Sequence, residues 1–191
     1  KMLKDLRLQV ARKHNVKPWV VFFDPSLEDM ATQYPITLEE LTKVSGVSVG
    51  KAERYGRDFI DVIKDYVEEN DIDRPEDFVV KQVANKSRLK VNIIQGIDKK
   101  LPLEEIAADN KMDMQKLLDE MSMIVSSGTK LDINYYIEEN IDEYSQEDIM
   151  DYFEEADSES IDEAFAELED EDITREEIEL VRIKFLSEIV N

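Results

Sequence analysis

The chain has 191 residues, 42% of them apolar, with 24 Lys/Arg against 46 Asp/Glu, no Cys and a single His. That apolar content suffices for one or two globular domains, and the missing Cys excludes disulfides, a thiol nucleophile and Cys-ligated zinc, while one His cannot build a His-based metal site. With five Gly, five Pro and no apolar run near eighteen residues, the composition predicts a soluble, all-α protein without a membrane span.

The acidity is concentrated at one end. Residues 1–69 hold 11 Lys/Arg against 12 Asp/Glu, residues 70–100 hold 7 against 5, and residues 101–191 hold 6 against 29. The last block repels a polyanion, whereas the first hundred residues can host a local basic face. The opening Lys1-Met2-Leu3-Lys4-Asp5 lacks the apolar core of a signal peptide, so a cytoplasmic location is expected.

In chain order, Leu3, Leu6, Val10 and Ala11 recur at helical spacing and predict a first helix over residues 1–13. Trp19 to Phe23 form a short apolar group that closes at Asp24-Pro25, where Asp suits an N-cap and Pro the first turn of a helix reaching Gln33. Thr37 and Glu40 form a capping box for a helix over Leu38 to Val44. Gly46 and Gly50 then bracket a tight turn, and Ala52, Tyr55, Phe59, Val62, Ile63 and Tyr66 mark one face of a long helix to about Glu69.

The polar stretch Asn70 to Pro75 predicts a domain boundary. The expected organisation is a first domain at 1–72, a linker or connecting helix at 73–86, a second domain at 87–140 and an acidic helical extension at 141–191 packed on it. In the second domain Leu89, Ile93, Ile94 and Ile97 make one helical face, Pro102 opens a short helix through Leu103, Ile106 and Ala107, and Leu117, Met121 and Ile124 make a third: a helix-turn-helix order. The alternation in Leu131-Asp132-Ile133-Asn134-Tyr135 predicts a strand and hence a small wing. Capping starts at Ser160/Glu163 and Thr174/Glu177, with apolar faces at Ile149 and Phe153, at Ile161, Phe165 and Leu168, and at Ile178, Val181, Phe185 and Ile189, predict three acidic amphipathic helices.

The order Asn15-Val16-Lys17-Pro18-Trp19-Val20-Val21-Phe22-Phe23-Asp24, then Thr37-Leu38-Glu39-Glu40-Leu41, Val44-Ser45-Gly46-Val47 and Gly50-Lys51-Ala52-Glu53-Arg54-Tyr55-Gly56, strongly resembles the HRDC domain of RecQ-type DNA helicases and RNase D. The chain beyond residue 70 looks like the helix-turn-helix tail of some bacterial RecQ proteins. The resemblance implies a C-terminal RecQ region: an HRDC-like helical bundle, a winged-helix-like domain and an acidic helical extension. It also implies a parent ATP-dependent 3'-5' helicase whose ATP, Mg and Zn sites would lie elsewhere, and no cofactor for these residues themselves.

The turn at Val44 to Lys51 resembles a helix-hairpin-helix, whose glycines let backbone approach a phosphate without reading sequence. The DNA-binding candidates are therefore Lys43, Gly46, Gly50, Lys51, Arg54 and Arg57, with Lys17 and Trp19 as a second contact in which the indole stacks on an unpaired base. The competing reading makes the cations solvated charges and Trp19 a core residue. Gly46 to Lys51 is not a P-loop, since three residues rather than four separate the glycines and Ala52 follows the Lys. His14 lies among no Ser, Cys or carboxylate constellation, so no catalytic residue is expected. The acidic block lacks the order of a calcium-binding EF-hand loop, and no metal site is expected there.

The third helix of the second domain carries Asp119 and Glu120 against Lys116 and is expected to pack on protein rather than enter a groove, while Arg88, Lys90, Lys99 and Lys100 remain able to touch a backbone. The expected function is auxiliary. The chain would bind single-stranded or branched DNA weakly in recombination and repair, associated with the nucleoid, with the acidic tail engaging a protein partner or the helicase's own motor, and with no membrane partner. A protein-interaction or autoregulatory module with little DNA binding, and an RNA-processing accessory of the RNase D kind, remain as alternatives.

Overall fold

The computed structural model describes residues 1–74, 80–168 and 172–189, with side chains of 80–87 excepted. Of the expected linker or connecting helix at 73–86, residues 75–79 lie outside the described residues, as do small parts of the acidic extension, while 80–86 form the start of a helix. Every regular element among the described residues is a helix. They divide into two compact units, Lys1–Lys81 and Gln82–Asn191.

The first unit holds α1 (Met2–His14), α2 (Pro18–Val21), α3 (Asp24–Gln33), α4 (Leu38–Leu41) and α5 (Val49–Glu69). Each boundary has a local cause. Helix α1 stops where Asn15 adopts the left-handed conformation, and its amide joins the next one in capping the last carbonyls. Thr37 Oγ1 accepts the Glu40 amide to start α4, and Ser48 Oγ accepts the Lys51 amide to start α5. Asp24 is the first residue of α3 rather than its cap, because its carboxylate is engaged by Lys4 and Arg7 of α1.

The core of this unit gathers Val10, Val21, Phe22, Leu27, Met30, Leu41, Phe59 and Ile63. Phe22 meets Phe59 edge-on with centroids 4.9 Å apart, and burying each such ring stabilises the fold by about 1.5–3 kcal/mol. Helix α4 lies so close to α5 that a Cβ on Gly56 would sit 2.4 Å from Leu41 Cδ2. Arg74 ties the end of the unit back by a two-pronged pair with Glu40, at 3.0 and 3.2 Å, and the same carboxylate accepts the Ile36 amide at 2.8 Å.

The second unit contains most of α6 (Val80–Asp98), then α7 (Leu103–Asp109), α8 (Met114–Ser126), α9 (Asn134–Asn140), α10 (Glu143–Glu155), α11 (Ile161–Glu167) and α12 (Arg175–Ile189). Helices α6 to α8 follow the helix-turn-helix order, with Gly96 allowing Ile106 of α7 to lie within 3 Å of where a Cβ would stand. The expected strand and wing are absent among the described residues. Leu131 and Ile133 do alternate into the core, but no second extended segment pairs with them. Instead the Leu131 amide donates to Ser187 Oγ at 2.8 Å, the Ser187 hydroxyl donates to the Leu131 carbonyl at 3.1 Å, and Asn134 begins α9.

Helix α12 also departs from a one-sided amphipathic helix. Ile178, Leu180, Val181, Ile183, Phe185, Leu186 and Ser187 are all buried, because α8, α9, α10 and α11 pack around it. The capping box that starts it is complete: Glu177 accepts the Thr174 amide at 2.7 Å, and Thr174 Oγ1 accepts the Glu177 amide at 3.3 Å. No described helix is long and apolar enough to cross a membrane.

Candidate nucleic-acid interface

The turn between α4 and α5 is positioned from α3. Ser26 Oγ, fully buried, donates to the Ser45 carbonyl at 2.8 Å, and the Ser45 amide donates to Asp29 Oδ2 at 2.8 Å. Both polar groups of Ser45 are thereby held just before Gly46, whose φ of 75° needs a residue without a Cβ. The Ser26/Asp29 clamp is not legible in the sequence, because a side chain nineteen residues upstream carries no local signal of the carbonyl it will meet.

The structure places Lys43, Gly46, Gly50, Arg54 and Arg57 on this turn and the first three turns of α5. Lys43, Gly50, Arg54 and Arg57 are exposed. Lys43 pairs with Glu39 one turn back at 3.3 Å, a partly exposed pair of small energetic weight. The Arg54 guanidinium lies 5.6 Å from the Tyr55 ring centre. Gly50 has no neighbour within 4 Å of a built Cβ and no left-handed φ, so the turn geometry requires glycine at Gly46 and not at Gly50.

Two expected contacts are corrected. Trp19 is 2% exposed, which leaves no ring face for a base; it belongs to the interior where α2 packs on α1. Lys51 is 9% exposed and its ammonium lies 4.9 Å over the Phe23 ring, so this cation stabilises the junction of α5 with the α2–α3 segment rather than standing at the surface. Its backbone amide is taken by Ser48 Oγ at 3.2 Å. Lys17 is half-buried at the start of α2, 5.5 Å over the Trp19 ring, on a different pair of elements from the turn. His14 closes α1 edge-on to Tyr55, at 5.0 Å.

The electrostatics of the unit are dominated by structural pairs. Burial works to raise the Asp24 carboxyl, yet hydrogen bonds and charge from Lys4 and Arg7 hold it below the ordinary carboxylate value. Arg7 also donates to the Phe22 carbonyl at 2.9 Å. These cations anchor α1 to α3.

In the second unit, α8 occupies the recognition position of the helix-turn-helix. Two of its side chains are engaged by α12: Gln115 donates to Glu179 at 2.9 Å, and Arg182 donates to Ser122 at 3.3 Å and to the Glu159 carbonyl at 2.9 Å. Its exposed remainder presents Lys116 and Asp119. Lys90 is directed inward, donating to Ser127 at 3.0 Å, and burial lowers its pKa. Tyr136 donates to Glu104 at 2.6 Å, and burial together with that carboxylate raises the phenol well above its ordinary value. The Lys90–Ser127 contact ties α6 to the end of α8, and the Tyr136–Glu104 contact ties α9 to α7.

A first bundle closed by a clamped glycine turn and a second unit with trihelical order define a chain of two helical modules. Residues 1–63 match the HRDC domain, and residues 87–137 match the RecQ-1-like helix-turn-helix domain. Similar proteins are the ATP-dependent DNA helicases RecQ of Haemophilus influenzae, 38% identical over 64 residues, of Pasteurella multocida, 36% identical over 64, and of Bacillus subtilis, 35% identical over 69. The aligned stretch is 34–36% of this chain and only 10–12% of each relative, so the chain matches about a tenth of the length of these helicases. The two domain matches in this order, with RecQ helicases as relatives of the first, support a relation of the chain to the C-terminal region of RecQ proteins.

Proposed function

We propose that the chain gives a RecQ-type helicase an auxiliary grip on single-stranded or branched DNA during recombination and repair, through the α4–α5 turn of its HRDC unit. The observation that carries this is the clamped turn itself. Ser26 and Asp29 fix Ser45 in place just before Gly46, while Lys43 before the turn and Arg54 and Arg57 on α5 are exposed. Held backbone next to exposed cations suits a sugar-phosphate chain and carries no base-reading group. With Lys51 in the interior and Trp19 unable to stack on a base, few contacts remain, so the grip is weak and strongly weakened by salt. ATP, magnesium and zinc would serve the parent helicase at sites of its own motor portion, and nucleoid association would follow from DNA binding.

The test is fluorescence anisotropy of labelled single-stranded, duplex and branched DNA, comparing the full chain with an Arg54→Gln/Arg57→Gln variant at two salt concentrations. The double substitution is expected to weaken binding to single and branched strands and to lower the slope of log affinity against log salt by about 1.4 for single strands. Binding that is equal in the two proteins would remove the α4–α5 turn from the interface.

A second reading is supported by the α8–α12 contacts. A recognition helix engaged by Glu179 and Arg182 suits a unit that meets protein, either a basic partner or the helicase's motor, more than one that enters a groove. Retention of a basic protein by the full chain, with no shift of any labelled DNA, would favour this autoregulatory role over DNA binding.

A further inference from the structure

Within the acidic second unit one surface has a different chemistry. Arg88, Asn92, Gln95 and Lys99 lie at successive intervals of four, three and four residues on α6, hence along one stripe, and all four are exposed. The stripe runs about 16 Å along the helix axis. It borders a cleft of about 190 Å³ between α6 and α7. The cleft has a built geometry: Gly96 lets Ile106 approach, Asn92 donates to Asn110 Oδ1 at 3.2 Å, and Asn110 in turn donates to the Ile106 carbonyl at 2.8 Å. Lys100 and Lys111, both exposed with left-handed φ near 56°, project from the two turns that flank α7.

Arginine, lysine and side-chain amides in one row are the donors that hold successive phosphates and sugar oxygens. The only carboxylate lining the cleft among the described residues is Asp109. Other exposed cations of this unit stand close to acid: Lys116 follows Asp113 and precedes Asp119, Lys130 precedes Asp132, and Arg175 pairs with Asp162 at 2.6 Å. Neither Arg88 nor Lys99 makes an ion pair among the described residues; the carboxylates nearest the stripe are Asp98, beside Lys99 in sequence, and Asp109 in the cleft.

We infer that the α6 stripe, Arg88–Asn92–Gln95–Lys99, is a second DNA-backbone contact, and that this helix-turn-helix unit approaches a strand with its first helix rather than with α8. The inference rests on the DNA-binding reading of the chain and adds a contact in the other unit. A polyanion brought to α8 meets Asp119 and Glu179, whereas one brought to α6 meets Arg88 and Lys99 beside Asp98 and Asp109, with the amides between the two cations able to follow the backbone.

The test uses the full chain and a labelled 20-nucleotide single strand, comparing wild type with Arg88→Gln/Lys99→Gln, Asp109→Asn, Lys116→Gln and Arg54→Gln/Arg57→Gln across a salt series. All these positions are exposed, and circular dichroism checks that each variant folds. The expected result is several-fold weaker binding by Arg88→Gln/Lys99→Gln with a salt slope smaller by about 1.4, tighter binding by Asp109→Asn, and no change for Lys116→Gln. If Arg88→Gln/Lys99→Gln binds like wild type while Arg54→Gln/Arg57→Gln is weakened, the α6 contact is overturned and the HRDC reading survives. Equal weakening by Lys116→Gln would also overturn it, by returning the contact to α8. Absence of any wild-type binding would remove both readings together.

Discussion

Among single residues, two glycines of the first unit separate structural need from surface role. Gly56 is buried and faces Leu41, itself fully buried, at a distance no Cβ tolerates. Gly56→Ala is expected to destabilise the first unit by about 1–3 kcal/mol, because overpacking outweighs the gain in helix propensity of roughly 0.5–1 kcal/mol. Gly50→Ala meets open space in the first turn of α5 and is expected to be neutral or to stabilise by a few tenths of a kcal/mol. Urea unfolding of both variants checks the pair; equal effects would contradict the packing described for α4 on α5. Lys51 and Trp19 make the same distinction from the other side. Residue type suited both to a nucleic acid, yet the fold uses one over the Phe23 ring and the other inside the α1–α2 junction.

Among elements, the segment before α9 shows why a period-two pattern is not yet a strand. Leu131 and Ile133 point inward as a strand would require, but their backbone finds a hydroxyl on α12 in place of a neighbouring strand. Ser187→Ala would leave the buried Leu131 amide without this acceptor. The expected cost is about 1–3 kcal/mol, read as a lower urea midpoint with an unchanged slope. An unchanged midpoint would mean that Leu131 finds another partner. Helix α12 shows a related limit: the apolar set Ile178, Val181 and Phe185 was legible as one face, whereas the burial of Leu180, Ile183 and Leu186 emerges only once neighbouring helices surround it.

For the whole molecule, the distribution of charge is the governing quantity. A formal charge of −22, carried almost entirely after residue 100, makes the second unit repel itself as well as other polyanions. Raising NaCl from about 0.05 to about 0.5 M shortens the screening length from near 14 Å to near 4 Å. The thermal midpoint of the chain is therefore expected to rise over that range, while any DNA binding falls. A midpoint that drops with salt would show that specific ion pairs such as Arg74–Glu40 and Arg175–Asp162 outweigh the general repulsion.

By itself the sequence determined the all-α class, most helix starts and the HRDC and helix-turn-helix signatures. These depend on local causes: 3.6-residue periodicity in Phe59 and Ile63, capping boxes at Thr37 and Thr174, and the glycine needed for a left-handed turn at Gly46. Only the tertiary structure decided which candidate cations reach solvent, that Ser26 and Asp29 clamp the turn, that Leu131 bonds to Ser187, and that α12 lies against α8. Exposure and long-range hydrogen bonds depend on which surfaces meet across tens of residues, and no local spacing in the chain encodes that meeting.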